Sequence, residues 1–263
     1  MKIVFSKYHG TGNDFILLDN RENKYSSLTE SQIELLCNRR FGIGADGLIL
    51  LEKDSETDFR MVYFNSDGRE SSMCGNGGRC ITAYAKSLSL INNSTKFIAI
   101  DGVHEAEVKS DNPVIVKLKM NDVKEVQRIG EDLFLNTGSP HYVRFVRNAL
   151  TVDVAGEGRS IRNSDAYKTE GTNVNFVEPL SNRLVVRSYE RGVEDETLSC
   201  GTGIVASALA SVAKGFVKDE KGICNIQALG GNLKVYYEKE GSGFKNIWLE
   251  GGATFVFNGE IEI

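Results

Sequence analysis

The chain has 263 residues, of which 41% are hydrophobic and 25% are charged, and its formal net charge is −5. This composition is typical of a globular protein with a sizeable core, and an acidic balance without a dense Lys/Arg run argues against nucleic acid as a partner. The N-terminal stretch MKIVFSKYHG lacks a signal-peptide core, and no apolar run approaches the ~18 residues of a membrane span. We therefore predict a cytoplasmic protein without a membrane partner.

The first half of the chain combines short strand-like runs with two helical patterns. Four runs rich in β-forming residues and bounded by turn residues predict strands, at 1–5, 15–18, 48–51 and 59–64. Thr29 is the predicted N-cap of a helix within 27–39. A second helix is predicted to begin at Gly75, directly after Cys74.

The second half follows a similar plan. The predicted elements are strands at 114–120, 184–189 and 232–237 and a helix of small apolar residues at 202–214. The C-terminal stretch ATFVFNGEIEI alternates near its end and indicates one more strand. Many strands with two or three helices per half predict an α+β architecture, in which each half is a β-rich sheet wrapped around a central helix.

Two cysteine motifs occur in the same register. SMCGNGGRC surrounds Cys74, and LSCGTGIVA surrounds Cys200, 126 positions later. The same offset, without a gap, pairs Thr11-Gly12 with Thr137-Gly138, Glu52 with Glu178, Glu70 with Glu196, Gly75 with Gly201 and Gly77 with Gly203. This repeat predicts two homologous halves, about 1–126 and 127–252. We predict domains at 1–119 and 120–252, with the final strand, 253–263, packing back on the first domain.

The glycines after each cysteine, and the helix that follows, indicate what the thiols can do. Glycine lets the backbone turn sharply and leaves N–H groups accessible, and a helix N-terminus carries about half a positive charge. We therefore predict a lowered thiol pKa and a carboxylate-binding site at each motif. One thiolate and one thiol on opposite faces of a substrate can invert a stereocentre. The duplicated Cys-Gly-x-Gly motif thus favours a two-base racemase or epimerase.

The five cysteines leave another interpretation open. Their odd number and the lack of a Cys-x-x-Cys spacing give little support to a disulfide scaffold or a zinc site, and we predict no bound metal. Cys37, Cys80 and Cys224 are interpreted as small buried apolar residues. For Cys74 and Cys200, a thiol redox or metal protein is the non-enzymatic alternative. It predicts bound metal or a reversible disulfide, and no substrate turnover.

Six stretches resemble the diaminopimelate epimerase family, in order and over nearly the whole chain: KYHGTGNDFILLDN, RFGIGADGLILL, FNSDGRESSMCGNGGRC, NTGSPHYV, GTNVNFVE and YERGVEDETLSCGTG. The Glu-Arg-Gly before the second cysteine distinguishes this family from other two-cysteine racemases. The resemblance implies a homodimeric enzyme of lysine and peptidoglycan precursor biosynthesis. It implies interconversion of LL- and meso-diaminopimelate without pyridoxal phosphate or any other cofactor, in a cleft between two pseudo-symmetric α/β halves.

The resemblance also implies roles for individual residues. Cys74 and Cys200 match the two catalytic cysteines, and His141 and Glu190 match groups that assist them. The matched substrate-binding residues are Asn13, Asn65, Gly75, Asn76, Asn173, Glu190, Arg191, Gly201 and Thr202. Asparagine amides, an arginine fork and a carboxylate suit the zwitterionic distal end of diaminopimelate, which needs both donors and acceptors.

The charged members of this set break the repeat. At the offset of 126, Arg191 falls on Asn65, Glu190 on Phe64 and His141 on Phe15. The cysteine core is therefore symmetric while its charged neighbours are not. This asymmetry fits a substrate whose two ends have different roles.

Two positions depart from the family pattern. Ser139 precedes Pro-His where many members have asparagine, and Gly47 stands where some have glutamine. A racemase of proline or hydroxyproline is an alternative, although a small cyclic substrate has no distal zwitterion for Glu190 and Arg191. An isomerase of the phenazine-biosynthesis type is a third enzymatic interpretation, but those proteins use a carboxylate rather than a cysteine pair.

Overall fold

The computed structural model describes residues 1–218 and 222–263, and the chain forms two compact units. Unit 1 comprises Met1–Leu118 with Gly251–Ile263, and unit 2 comprises Lys119–Glu250. Each unit combines parallel and antiparallel strand pairs with helices, which confirms the prediction of an α+β fold with two similar halves. In these described ranges, no helix is long and apolar enough to cross a membrane.

The first half of the chain supplies most of unit 1. Its elements are β1 (Lys2–Gly10), β2 (Asn13–Asp19), α1 (Glu30–Cys37), β3 (Gly47–Glu52), β4 (Phe59–Asn65), β5 (Glu70–Ser71), α2 (Gly75–Ser87), β6 (Ser94–Ala99), β7 (Gly102–Asp111) and β8 (Val114–Lys119). The predicted N-cap of α1 is confirmed, because Thr29 and Gln32 form a reciprocal capping box. Ile33 and Leu36 of α1 then pack into the core of unit 1.

The remaining elements follow in chain order. They are β9 (Gln127–Ile129), β10 (Asp132–Asn136), β11 (Pro140–Phe145), a short 3-10 helix (Ala149–Thr151), α3 (Val154–Arg162), β12 (Asn173–Pro179), β13 (Leu184–Glu190), β14 (Asp195–Thr197), α4 (Gly201–Ala213), β15 (Ile223–Ala228), β16 (Gly231–Glu240), β17 (Gly243–Gly252) and β18 (Thr254–Glu262).

The C-terminal strand pairs with the N-terminal one. β18 runs antiparallel to β1 from Lys2 opposite Glu262 to His9 opposite Thr254, with one register shift between Lys7 and Tyr8. On its other side β1 pairs antiparallel with β2. Because β1 has a hydrogen-bonded neighbour on both sides, the end of the chain completes the sheet of unit 1.

Helices α2 and α4 begin in the same way. Cys74 and Cys200 are their N-caps, both with extended backbone angles, φ −91° with ψ 128° and φ −103° with ψ 110°. A glycine is the first helical residue in each case. Both helices are buried along most of their length by the strands of their own unit. The fold thus holds each cysteine at the N-terminus of a central helix.

The two halves do not keep one offset throughout, so the prediction of a gap-free repeat is wrong in one segment. Leu48 pairs with Phe64 in unit 1, whereas Val174 pairs with Tyr189 in unit 2. β12 therefore follows β3 by 126 positions, but β13 follows β4 by only 125. The loop before β13 is one residue shorter than its counterpart and the turn after it is one residue longer, which restores the offset before the cysteines.

This shift changes which residues correspond. Asn65 lies opposite Gly47 at the end of β4, and the position in β13 that corresponds to Asn65 is Glu190. The sequence register had instead paired Asn65 with Arg191. The extra residue of the second turn is what places Arg191 beyond the end of the strand.

Candidate active site

All five cysteines are free thiols, but they occupy two kinds of environment. Cys37 and Cys80 are buried in the core of unit 1, and burial raises their thiol pKa, for Cys37 to about 12. Cys224 is also buried. Cys74 is half-buried, and Cys200 keeps 9% of its surface exposed. Cys74 and Cys200 are therefore the two cysteines placed at helix N-termini, although Cys200 is also buried.

Asparagine side chains surround Cys74. The Cys74 thiol donates to Asn13 Oδ1 at 3.6 Å, and Asn76 Nδ2 donates to the same oxygen at 3.1 Å. Asn13 Nδ2 in turn donates to Asp46 Oδ2 at 2.7 Å. The structure thus brings together three of the residues that the sequence predicted for this motif: Asn13, Cys74 and Asn76.

A buried arginine holds this arrangement in place through hydrogen bonds. Arg79 has no exposed surface, and its guanidinium donates to Asn76 Oδ1 at 2.8 Å, to Gly75 O at 3.2 Å and to Thr11 Oγ1 at 3.2 Å. Burial lowers the pKa of Arg79. Arg79 orients both Gly75 and Asn76, and the sequence analysis did not single it out.

The equivalent cysteine of unit 2 lies in a different electrostatic environment. Burial raises the pKa of Cys200 well above its ordinary value, and the Glu190 carboxylate beside the sulfur raises it further. Hydrogen bonds from Thr202 and the Gly203 N–H act in the opposite direction but do not outweigh these effects. The predicted lowering of the thiol pKa is therefore wrong for Cys200, because desolvation and a like charge exceed the effect of the helix terminus.

His141 reaches Cys200 through one intermediate hydroxyl. Its ring has no exposed surface, and burial together with the Arg191 charge lowers its pKa to about 3. Nε2 lies 3.0 Å from Thr202 Oγ1, which lies 3.5 Å from Cys200 Sγ. Nδ1 lies 3.1 Å from Asn175 Nδ2. The ring is thus neutral and part of a hydrogen-bonded chain that ends at the sulfur.

The turn after β13 carries the predicted acidic and basic pair. Glu190 accepts a hydrogen bond from Thr197 Oγ1 at 2.8 Å. The exposed Arg191 donates its backbone N–H to Asn173 Oδ1 at 2.9 Å and its Nη1 to Glu170 O at 2.7 Å. Asn173 therefore fixes the turn from which Arg191 projects.

The two positions that depart from the family pattern have clear structural partners. Ser139 Oγ accepts a hydrogen bond from Asn173 Nδ2 at 2.9 Å. A Cβ added at Gly47 lies 2.6 Å from a ring carbon of Tyr63 and 2.5 Å from Phe64 O, so no side chain fits there in this backbone conformation. Asn65, whose strand neighbour is Gly47, is exposed at the end of β4.

Sequence comparison places this chain in a known family. Residues 5–126 and 133–256 match the family described as diaminopimelate epimerase. The chain belongs to the diaminopimelate epimerase family. It is 53% identical to the diaminopimelate epimerase of Flavobacterium psychrophilum over 252 residues, which cover 95% of this chain and 97% of that protein. It is 41% identical to that of Chlorobaculum tepidum, over 97% of this chain and 99% of that protein.

Solved structures share the fold of this diaminopimelate epimerase family member at low sequence identity. A phenazine biosynthesis protein of the PhzF family from Bacillus anthracis matches with a TM-score of 0.76 and 15% identity, over all of both chains. A hydroxyproline epimerase from Agrobacterium vitis matches with a TM-score of 0.66 and 16% identity, over 99% of this chain and 92% of that one. At these identities the likeness concerns the fold alone.

Two buried residues of this family member escaped the sequence analysis, Arg79 and Asn175. The repeat did contain a signal for Arg79, because Val205 occupies the corresponding position of α4. A buried arginine at a position where the other unit has a valine is costly unless it has hydrogen-bond partners, so it indicates a specific polar role. Asn175 carries the same signal, since Ile49 is its counterpart in unit 1.

The charge of Glu190 should be visible in the reactivity of Cys200. Removing it with Glu190→Gln is expected to lower the thiol pKa and to raise the rate of Cys200 alkylation at pH 8 roughly tenfold, because only the thiolate reacts. Mass spectrometry of the Cys200 peptide after timed iodoacetamide treatment measures this rate. Asp195→Asn, which removes an exposed carboxylate on β14, is the matched control and should leave it unchanged. An equal effect of both variants would contradict the assignment to Glu190.

Proposed function

We propose that this chain interconverts LL- and meso-diaminopimelate by a cofactor-independent two-base mechanism in which Cys74 and Cys200 exchange protons with the same α-carbon. The observation that carries the proposal is the duplicated thiol, each at the N-terminus of a buried helix, in a chain of the diaminopimelate epimerase family. The reaction requires the two thiols to act from opposite faces of the substrate. It belongs to lysine and peptidoglycan precursor biosynthesis in the cytoplasm.

The charge state of the thiols follows from their surroundings. One sulfur has to be ionised and the other protonated before substrate binds. Because burial and Glu190 raise the pKa of Cys200, we assign the protonated form to Cys200 in the free enzyme. Cys74 is then proposed as the base, and it must first lose the hydrogen that its thiol donates to Asn13 Oδ1. In this direction Cys74 removes the α-proton and Cys200 delivers its own proton to the other face, so the two sulfurs end with exchanged charge states. The reverse reaction starts from that exchanged state.

The backbone at the helix termini has a separate role. The first hydrogen bonds inside the two helices are Gly78 N–H to Cys74 O and Ile204 N–H to Cys200 O. The N–H groups of Gly75 with Asn76, and of Gly201 with Thr202, precede these bonds and are proposed to bind the α-carboxylate of the substrate. Negative charge that develops on this carboxylate as the α-carbon loses its proton is then stabilised.

The distal end of the substrate needs donors and acceptors together. We assign it to Glu190 and Arg191, with the amides of Asn13, Asn65 and Asn173. Asn13 and Asn173 already use their amides within the protein, toward Asp46 and Ser139. Substrate therefore binds them through the remaining capacity of these groups or by displacing a partner. His141 and Glu190 are proposed to support Cys200.

We further propose that the enzyme is a homodimer. Strands β1 and β18 carry several large apolar side chains with about half of their surface exposed, namely Val4, Phe255, Val256 and Phe257. Phe255 and Phe257 are two positions apart and therefore lie on the same face of β18, where a second copy could cover them. Analytical ultracentrifugation is expected to show a dimer, in which these side chains are buried against a second copy.

The test of the activity is proton NMR of LL-diaminopimelate with reduced protein in deuterated water, without pyridoxal phosphate. Deuterium at one α-carbon together with formation of the meso epimer is the expected result. Deuterium incorporation at the α-carbon of proline, with no change in diaminopimelate, would support the two-base chemistry but refute diaminopimelate as the substrate. Absence of exchange with both substrates would refute the proposal, and bound metal would be measured next.

A further inference from the structure

A buried polar cluster of unit 2 accounts for the orientation of His141. Its members are His141, Asn175 and Ser188, none of which has more than 3% of its surface exposed. The Thr202 hydroxyl connects them to Cys200. We propose that Asn175 is a positioning residue, which fixes His141 as the Nε2–H tautomer and thereby turns the Thr202 hydroxyl hydrogen toward the sulfur of Cys200. The catalytic meaning of this arrangement rests on the proposed function.

The orientation of the Asn175 amide is determined by its neighbours. Asn175 Nδ2 lies 3.3 Å from the backbone oxygen of Tyr142, which can only accept, and Ser188 Oγ donates to Asn175 Oδ1 at 2.8 Å. The nitrogen must therefore face Tyr142 and His141. Its two hydrogens are directed at Tyr142 O and at His141 Nδ1. All hydrogen-bonding capacity on the nitrogen side of this amide is thus used.

The tautomer of His141 follows from this orientation. Because Asn175 donates to Nδ1, that nitrogen must be the unprotonated one. The ring is neutral, since burial and Arg191 hold its pKa at about 3. Its single hydrogen is therefore on Nε2 and is donated to Thr202 Oγ1 at 3.0 Å.

The direction of donation continues to the sulfur. Thr202 Oγ1 accepts from His141, so the one hydrogen of this hydroxyl is available to Cys200 Sγ at 3.5 Å. The backbone of Thr202 is held in place by Thr137 Oγ1, which donates to Thr202 O at 2.9 Å. From Asn175 through His141 and Thr202, every bond donates toward Cys200. A thiolate formed at Cys200 is thereby stabilised against repulsion by the negative charge of Glu190.

The second glycine of the Cys-Gly-Thr-Gly motif makes room for this cluster. A Cβ added at Gly203 lies 2.4 Å from Asn175 Oδ1. At the matching glycine of unit 1, Gly77, the added Cβ instead meets the ends of apolar side chains, Ile49 at 3.1 Å and Phe15 at 3.6 Å. Both glycines therefore admit the side chain of the underlying sheet, polar in one unit and apolar in the other.

The comparison of the two units shows that the cluster is not a requirement of the fold. His141 corresponds to Phe15 and Asn175 to Ile49 at the offset of 126, and the register of β4 and β13 pairs Ser188 with Tyr63. In unit 1 Phe15 and Tyr63 pack edge to face, with centroids 6.0 Å apart. The same architecture is thus built with apolar residues beside Cys74. Three buried polar residues beside Cys200 have to be explained by what they do to that thiol.

The first test is the tautomer itself, which needs neither a variant nor the substrate. The chain has only three histidines, so nitrogen-detected NMR of protein labelled at the histidine ring gives few signals. A buried ring with a pyridine-type Nδ1 and a pyrrole-type Nε2, unchanged between pH 6 and 8, is the expected result. A hydrogen on Nδ1 of His141 would overturn the inference.

The second test reverses the direction of donation with Asn175→Asp. A carboxylate has nearly the same shape but cannot donate, so it draws the ring hydrogen to Nδ1, and Nε2 becomes an acceptor for the Thr202 hydroxyl. The sulfur then loses its donor. We expect an exchanged pair of ring nitrogen signals and roughly tenfold slower alkylation of Cys200. We also expect kcat lower by about 10- to 100-fold in both directions, with KM changed less than about threefold.

Two further variants separate this effect from charge and from misfolding. Asn175→Ile removes the donor without adding charge and copies the residue of unit 1, so the ring is expected to populate both tautomers. Asn225→Asp makes the same chemical change at an exposed position of β15 and should change nothing. Unchanged ring signals in Asn175→Asp, or unchanged Cys200 reactivity in a folded variant, would overturn the inference. Both readouts are independent of diaminopimelate, so they are separate from a failure of the proposed function.

Discussion

Replacing either Cys74 or Cys200 by alanine is expected to lower kcat for epimerisation at least about 1000-fold in both directions. A single positioned acid or base contributes about 10²- to 10⁴-fold, and here the inversion requires both thiols in every turnover. In each variant one face of the α-carbon loses its proton donor or acceptor. Water has no fixed position at that face and cannot replace the thiol efficiently.

The measurement follows LL- and meso-diaminopimelate separately by NMR in deuterated water. Neither variant should form the other epimer at a measurable rate, while both should retain substrate binding, because Gly75, Asn76, Gly201 and Thr202 are unchanged. Cys224→Ala, which removes a buried thiol from β15, is the matched control and should keep kcat within about threefold. An alanine variant at Cys74 or Cys200 that keeps more than about a tenth of the activity would contradict the two-base mechanism.

The parts of this site that sequence predicted are those set by local rules. The sequence predicted one helix that begins at Gly75 and another over 202–214; α2 begins at Gly75, and α4 begins at Gly201, one residue earlier than predicted. Thr29 was predicted as the N-cap of α1 in the same local sense, and it is the N-cap. The cysteine repeat predicted two similar units because it consists of two local sequence patterns that can be matched directly.

The parts that sequence missed depend on what lies across the sheet. The thiol pKa of Cys200 is set by burial and by Glu190, which arrives from β13, and neither is visible in the motif around the cysteine. The offset of the repeat is interrupted at β4 and β13 because two loops differ in length by one residue. A register read from matching letters cannot detect two compensating changes that lie between matches. Pairing Asn65 with Arg191 was the consequence.

The two units share the same backbone arrangement at their cysteines but place differently charged side chains around them. The N-terminus of α2 has a buried guanidinium beneath it, whereas that of α4 has a neutral histidine beneath it and a carboxylate beside its thiol. A repeat with identical surroundings would give both thiols similar pKa values. The differences at Arg79, His141 and Glu190 therefore give the two cysteines different surroundings, which suits the proposed reaction because it needs the two thiols in different protonation states.

Arg79→Met is expected to destabilise the start of α2 by about 3 kcal/mol. The guanidinium satisfies Gly75 O, Asn76 Oδ1 and Thr11 Oγ1, and each buried acceptor left without a donor costs about 1–3 kcal/mol. Removal of a buried charge offsets part of this loss. Arg79→Lys is also expected to be destabilising, since one ammonium group cannot reproduce the fork that reaches these acceptors together with Gly252 O at 3.5 Å.

Native-state hydrogen exchange of the α2 amides measures this change, because it reports the stability of one element rather than of the whole chain. A loss of about 3 kcal/mol corresponds to roughly 100-fold faster exchange, since about 1.4 kcal/mol is a factor of ten. The α4 amides of unit 2 are the internal control and should not change. Arg60→Met, at an arginine of β4 with only a 3.8 Å ion pair to Asp54, is the matched variant and should cost less than about 1 kcal/mol. Similar exchange in both methionine variants would mean that the oxygens around Arg79 find other donors, and that the buried guanidinium does not hold Gly75 and Asn76 in place.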